Sequence, residues 1–151
     1  MNDPRTDLCE RVLGLVDGRA EAAVMVTSVR TGLTRFANSF VHQHVGEETV
    51  AVSLKVANEG RVAAAESTRV GDDALLALVE STLEICKLRP VDEDWPGFAP
   101  PDDVSDVAHH DPATDDASPS ARAAQVRAFV DAGPGLRAAG YVDSELSLIH
   151  I

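Results

Sequence analysis

His42 and His44 are the residues of this chain whose types and spacing first suggest chemistry. On a strand, residues two apart share a face, so both imidazoles could reach one metal ion. Two ligands fall short of a zinc site, and a third would have to come from His109, His110 or a carboxylate of the same acidic stretch. Without that third ligand the pair reads as the polar face of a sheet. His109-His110-Asp111 could hold a cation loosely, but it lies among prolines and acids and reads as solvated loop. Glu47-Glu48 and Asp72-Asp73 are paired carboxylates. General acid–base work would need a pocket that drives their pKa values apart, and their settings read instead as a turn and a helix start. Ser39 and Ser67 could be nucleophiles only with an activating base, and neither sits in a strand–turn–helix elbow. Glycines occur singly, with no loop that would cradle a phosphate.

The bulk properties narrow the field. A length of 151 residues suits one domain with a real core. A net charge of −12 argues against nucleic acid and against an anionic membrane surface. No apolar run approaches the roughly 20 residues that span a bilayer, and residues 1–10 lack the basic-then-apolar pattern of a secretory signal. Cys9 and Cys86 lie far apart, outside any CxxC pair, and read as free thiols packed as small hydrophobes. The cytoplasm is the expected location.

The elements that would position these residues follow from periodicity. Residues 6–16 read as a short helix capped by Thr6 or Asp7, with Leu8, Val12, Leu15 and Val16 on one face. Asp17-Gly18 ends it. Strand-like runs follow at 22–29, 33–38 and 40–45, with turns expected at Thr31-Gly32 and at Gly46-Glu47-Glu48. The clearest strand carries Val50, Val52, Leu54 and Val56 on one side, and Asn58-Glu59-Gly60 turns it into a strand over 61–68. Short turns between strands imply antiparallel neighbours. Residues 73–89 form the strongest helix, with Asp72 as N-cap and a stripe of Leu75, Leu78, Val79, Thr82, Leu83 and Cys86. From Pro90 to Ser120 there are nine acidic residues and no Lys or Arg, which predicts an extended solvated connection anchored by Trp95 and Phe98. Ser118-Pro119 opens a helix to about Ala132 with Ala123, Val126, Phe129 and Val130 as its apolar face. Residues 136–142 start a strand, and the pattern is expected to break near Glu145.

The predicted fold class is α+β: an antiparallel β-meander with helices packed on one face, then an acidic linker, a further helix and the start of a β-rich second domain. The expected divisions are an N-terminal α+β domain over 1–90, an acidic Pro-rich linker over 91–117, a helix and first strand over 118–145, and an atypical tail over 146–151.

Several segments, taken in order, resemble the N-terminal region of the TldD/PmbA family of metallopeptidases, once called modulators of DNA gyrase. They are Thr34-Arg35-Phe36-Ala37-Asn38-Ser39 with Val41-His42-Gln43, then Asn58-Glu59-Gly60-Arg61, Ser67-Thr68, the helix from Asp72 to Arg89, residues 90–98, and Ala138-Ala139-Gly140-Tyr141-Val142. The resemblance spans about residues 8–145. It implies an N-terminal domain joined to a β-rich C-terminal domain that carries a His-Glu-x-x-x-His zinc motif. It also implies homo- or hetero-dimers with a related subunit, and an enclosed chamber that admits unfolded peptides. In that setting Arg35, Asn38, His42 and Gln43 would contact substrate or a domain interface. No His-Glu-x-x-x-His occurs in this sequence. The resemblance therefore implies no catalytic residue or metal ligand in this chain, with zinc expected in the full-length parent.

Two functions follow. One is the front portion of a zinc peptidase, inactive by itself, whose missing C-terminal domain supplies the chemistry. The other is a non-catalytic module or zinc-less partner subunit that binds a peptide or protein along a strand edge. An unfinished last strand would favour the first, and would leave apolar surface that makes the isolated chain associate.

Overall fold

The computed structural model describes residues 3–100, 102 and 109–151. The element order is α1 (Pro4–Val16), β1 (Glu21–Ala37), β2 (Phe40–Asn58), β3 (Arg61–Ser67), α2 (Asp72–Leu88), α3 (Pro112–Asp115), α4 (Pro119–Asp131) and β4 (Gly140–His150). The strands form one antiparallel sheet in the order β3-β2-β1-β4 with helices packed on it, an α+β fold. The chain divides into two compact units, Met1–Ser28 with Thr49–Val104 and Leu148–Ile151, and Val29–Glu48 with Ser105–Ser147.

The first unit holds the apolar core. Val24 and Val26 of β1, Val52, Leu54 and Val56 of β2, and Ala63 of β3 meet Cys9, Val12 and Val16 of α1 and the full predicted stripe of α2. Alternation along β2 puts these residues on one side because strand side chains repeat every two residues. The β2–β3 register runs from Asn58↔Arg61 to Val52↔Ser67. Its turn needs left-handed backbone, supplied by Glu59 (φ 50) and Gly60 (φ 71).

α1 starts earlier than the sequence suggests. Asp3 caps it, accepting from the Arg5 amide at 2.9 Å, and Pro4 fills the first helical position, where no amide is needed. It ends at Asp17 in left-handed backbone. Gly71, in extended backbone, is the N-cap of α2; Asp72 is the first helical residue, and its carboxylate pairs with Arg11 of α1. Both cysteines are free and buried; Cys86 Sγ donates to the Arg61 carbonyl at 3.1 Å. Past α2, the Asp92 amide donates to the Gly60 carbonyl at 2.7 Å. Trp95 and Phe98 pack edge to face at 5.4 Å, with the Lys55 ammonium 4.4 Å from the Trp95 ring centre. These contacts anchor the segment as its aromatics suggest.

β1 and β2 are each unbroken, and no turn occurs at Thr31-Gly32 or Gly46-Glu47-Glu48. The reversal comes at Asn38 (φ 49) and Ser39 (φ 65). Two successive left-handed residues match the twist of a tight hairpin. Ser39 is tied there: its hydroxyl donates to the Leu136 carbonyl and accepts from the Ala138 amide, both at 3.1 Å. β4 continues through the expected break at Glu145 to His150 and forms the edge strand beside β1. Val142, Ser144, Leu146 and His150 are half-buried at alternate positions, with Leu148 of the same parity exposed. The acidic stretch is not wholly extended, since Asp111 caps the single turn α3; residues 101 and 103–108 lie outside the described residues. No helix of the described residues is long and apolar enough to cross a membrane.

Leu54 lies at the centre of this core, 1% exposed, whereas Leu88 at the end of α2 is 85% exposed. Leu54→Ala should cost about 2–5 kcal/mol, and Leu88→Ala about 0.5 kcal/mol or less. Urea unfolding followed by Trp95 fluorescence measures both; equal losses would mean that the apolar cluster does not hold this unit.

Candidate functional site

The second unit is built around a charge. Arg122, in the first turns of α4, is 5% exposed. α4 places it there because Ser118 caps the helix, accepting from the Ala121 amide at 3.1 Å, and Pro119 fixes its entry. Arg122 then falls on the same face as Val126, which is buried, and near Phe129, whose ring meets Phe36 of β1 edge to face at 5.9 Å.

The guanidinium is held on three sides. Nε donates to Thr34 Oγ1 at 3.3 Å, and Nη1 donates to the Ala117 carbonyl at 2.6 Å and to Ser144 Oγ at 3.0 Å. Thr34, fully buried, also shares a hydrogen bond with His44 Nδ1 at 2.7 Å. Gly32 of β1 lies directly beneath the group: a Cβ added there would stand 2.6 Å from Nη1 and 2.7 Å from Nη2. This explains a glycine inside a continuous strand, where it permits close approach rather than a turn. Among the described residues, Nη2 has no hydrogen-bond acceptor and no carboxylate forms an ion pair with Arg122.

Arg122 lines a cleft of about 570 Å3 together with Arg30, Glu47, Glu48, Asp115, Asp116, Ser144 and Glu145, among others. Asp115 is committed: it pairs with Arg30 and lies 3.1 Å from His110 Nε2. Its carboxyl is held below the usual carboxylate range by the hydrogen bond from His110 first and that from Arg30 second. The other charged residues of the rim, Glu47, Glu48, Asp116 and Glu145, are acidic. Such a cleft can bind and orient a polar ligand, and among the described residues it contains no paired nucleophile and base.

Arg35, Asn38, His42 and Gln43 are all exposed and lie on the β1–β2 hairpin. None lines the cleft, and among the described residues none makes a side-chain hydrogen bond or ion pair. Asn38 serves the reversal through its left-handed backbone. The donor set of the described residues does not fit a zinc ion. No three His, Cys, Asp or Glu among the described residues are grouped to hold a metal, and His44 is engaged by Thr34. Sequence reasoning passed over Arg122. Two signals pointed to it: an Arg four residues before Val126 on the apolar face of a helix, and an isolated Gly in a strand.

The fold matches solved structures of known proteins. TldE from Thermococcus kodakarensis superposes with a TM-score of 0.75 at 12% identity, covering 95% of this chain and 34% of that one. A candidate modulator of DNA gyrase from Bacteroides thetaiotaomicron gives 0.73 at 12% identity, covering 98% and 40%. Another from Thermotoga maritima gives 0.67 at 12% identity, covering 95% and 35%. This chain thus spans between a third and two fifths of the length of the structures it matches. At this identity the likeness establishes a common fold, in agreement with the resemblance read from the residues. No protein-family model and no curated protein matches the chain.

Gly32→Ala should push the guanidinium off Thr34 and Ser144, at a cost of about 1–3 kcal/mol. The Arg122 Nε–H resonance reports it, and an unchanged resonance would mean that the close approach is not needed. Asp115 stabilises this unit above the ordinary carboxylate range, and its contribution is lost as pH falls through its depressed pKa. A carbon-detected titration should give Asp115 a midpoint below that of free Asp, with His110→Ala raising it more than Arg30→Gln. A free-Asp midpoint in the unaltered protein would refute the pairing.

Proposed function

We propose that this chain is a non-catalytic portion of a TldD/PmbA-type metallopeptidase, shaping the chamber in which unfolded peptides are handled. The observation that carries this reading is the fold likeness, which takes in nearly all of this chain but only 34–40% of each matched structure. In this reading zinc and peptide-bond chemistry belong to further sequence of the parent. The chain's own part is rigid shape and a surface for a like or related subunit, in the cytoplasm. The net charge of −12 leaves nucleic acid and anionic membrane out of the proposal.

A second reading is a peptide- or protein-binding module without a catalytic partner. The edge strand β4 favours it, with Tyr141 and Ile149 exposed beside backbone groups that could pair with an added strand.

The purified chain should leave fluorogenic oligopeptides uncut, with or without added zinc, while the longer reading frame that contains it should cut them. Reproducible cleavage by the chain alone would overturn the first reading. A longer frame without a second compact β-rich domain would favour the second.

A further inference from the structure

We infer that the cleft beneath α4 binds a zwitterion: a carboxylate on Arg122 with a basic group on the acidic rim, as at a peptide end bearing a C-terminal lysine. This goes beyond the function proposed above and rests on the second unit alone. A buried guanidinium usually has a carboxylate partner, because removing the charge from water is costly. Arg122 is 5% exposed and, among the described residues, has only neutral partners: Thr34, Ser144 and the Ala117 carbonyl. Those bonds use Nε and Nη1, so Nη2 keeps its donors for an acceptor in the cleft that Arg122 lines. A carboxylate oxygen there would supply the missing counter-charge through a charge-assisted hydrogen bond.

The rim disfavours a simple anion. Once Arg30 and Asp115 are paired, Glu47, Glu48, Asp116 and Glu145 remain around the one guanidinium. Their summed field repels a lone carboxylate and attracts a cation. A ligand with both charges satisfies both. The cleft, about 570 Å3, lies within the roughly 300–1,000 Å3 typical of small-ligand sites and admits one residue with its terminal carboxylate. Gly32 lets the guanidinium lie low against β1, at the floor of the cleft that Arg122 lines.

Calorimetric titration of the full chain tests this with four probes: a tetrapeptide ending in Lys, its C-terminal amide, the same peptide ending in Ala, and free lysine. The Lys-ended acid should bind about tenfold or more tightly than its amide, the difference expected for a hydrogen bond between charged groups. Glu47→Gln with Glu48→Gln, both at exposed positions, should weaken the Lys-ended peptide several-fold and strengthen the Ala-ended one. Arg122→Gln should abolish the preference for acid over amide. Should that variant fail to fold, the acid–amide comparison on the unaltered chain still decides. Free lysine binding as tightly as the peptide would assign the site to the small amino acid; weaker binding would assign it to a chain end. Equal affinity for acid and amide, or no binding of any probe, would overturn the inference.

Discussion

Keeping one guanidinium out of water is the constraint around which the second unit is arranged. Arg122 needs a surface flat enough to lie on, and Gly32 provides it by carrying no side chain. It needs acceptors from several directions, and Thr34, Ala117 and Ser144 supply them from β1, the segment before α4 and β4. Each acceptor is neutral, so the fold solves the geometry of burial while leaving the charge uncompensated among the described residues. A buried polar network of this kind specifies its neighbours more strictly than oil-like packing does, because every misplacement leaves a donor unmet. The apolar part of this unit is small: Phe36, Phe129 and Val126 close one side.

The first unit works by the opposite means. Val12, Val26, Val52, Leu54, Val56, Leu75 and Val79 are essentially shut off from solvent, and none brings a polar atom with it. Aromatic residues are scarce, at 4% of the sequence, so this core relies on branched aliphatics that pleat well in strands and stack well on a helix face. Thr82, the one polar side chain buried in that stripe, returns its hydroxyl to the Leu78 carbonyl at 2.6 Å and asks nothing of the core.

What the sequence revealed, and what it hid, divides along these same lines. Strict alternation from Val50 to Val56 and the i, i+3, i+4 stripe of α2 were readable because apolar burial writes a period into the chain. The Asn58-Glu59-Gly60 reversal was readable for its glycine, and Ser118-Pro119 for its capping chemistry. Gly32 and Gly46 misled, because a glycine marks a turn, a close approach or nothing, and only the third dimension distinguishes these. The true reversal, Asn38-Ser39, carries no glycine and depends on a segment a hundred positions onward. Asp72 reads as a cap by residue type, but the helix already includes it, and a glycine's cap position carries no side-chain signal. The cleft stayed hidden for another reason. Its residues come from β1, β2, α3, α4 and β4, and no local pattern announces a buried arginine whose partners are scattered so widely.

The position of β4 has a consequence for how the chain assembles. β1, β2 and β3 are joined by two tight reversals, while β4 reaches β1 only after α2, α3 and α4 have been made. As the ribosome delivers the chain, the hairpins and the first two helices can settle early, because the loops they close are short. Through that interval one flank of β1 stands open, its amides and carbonyls free to recruit any passing strand. Within this fold β4 is thus the seal, and a chain in which it has not yet docked is the one most prone to cross-pairing.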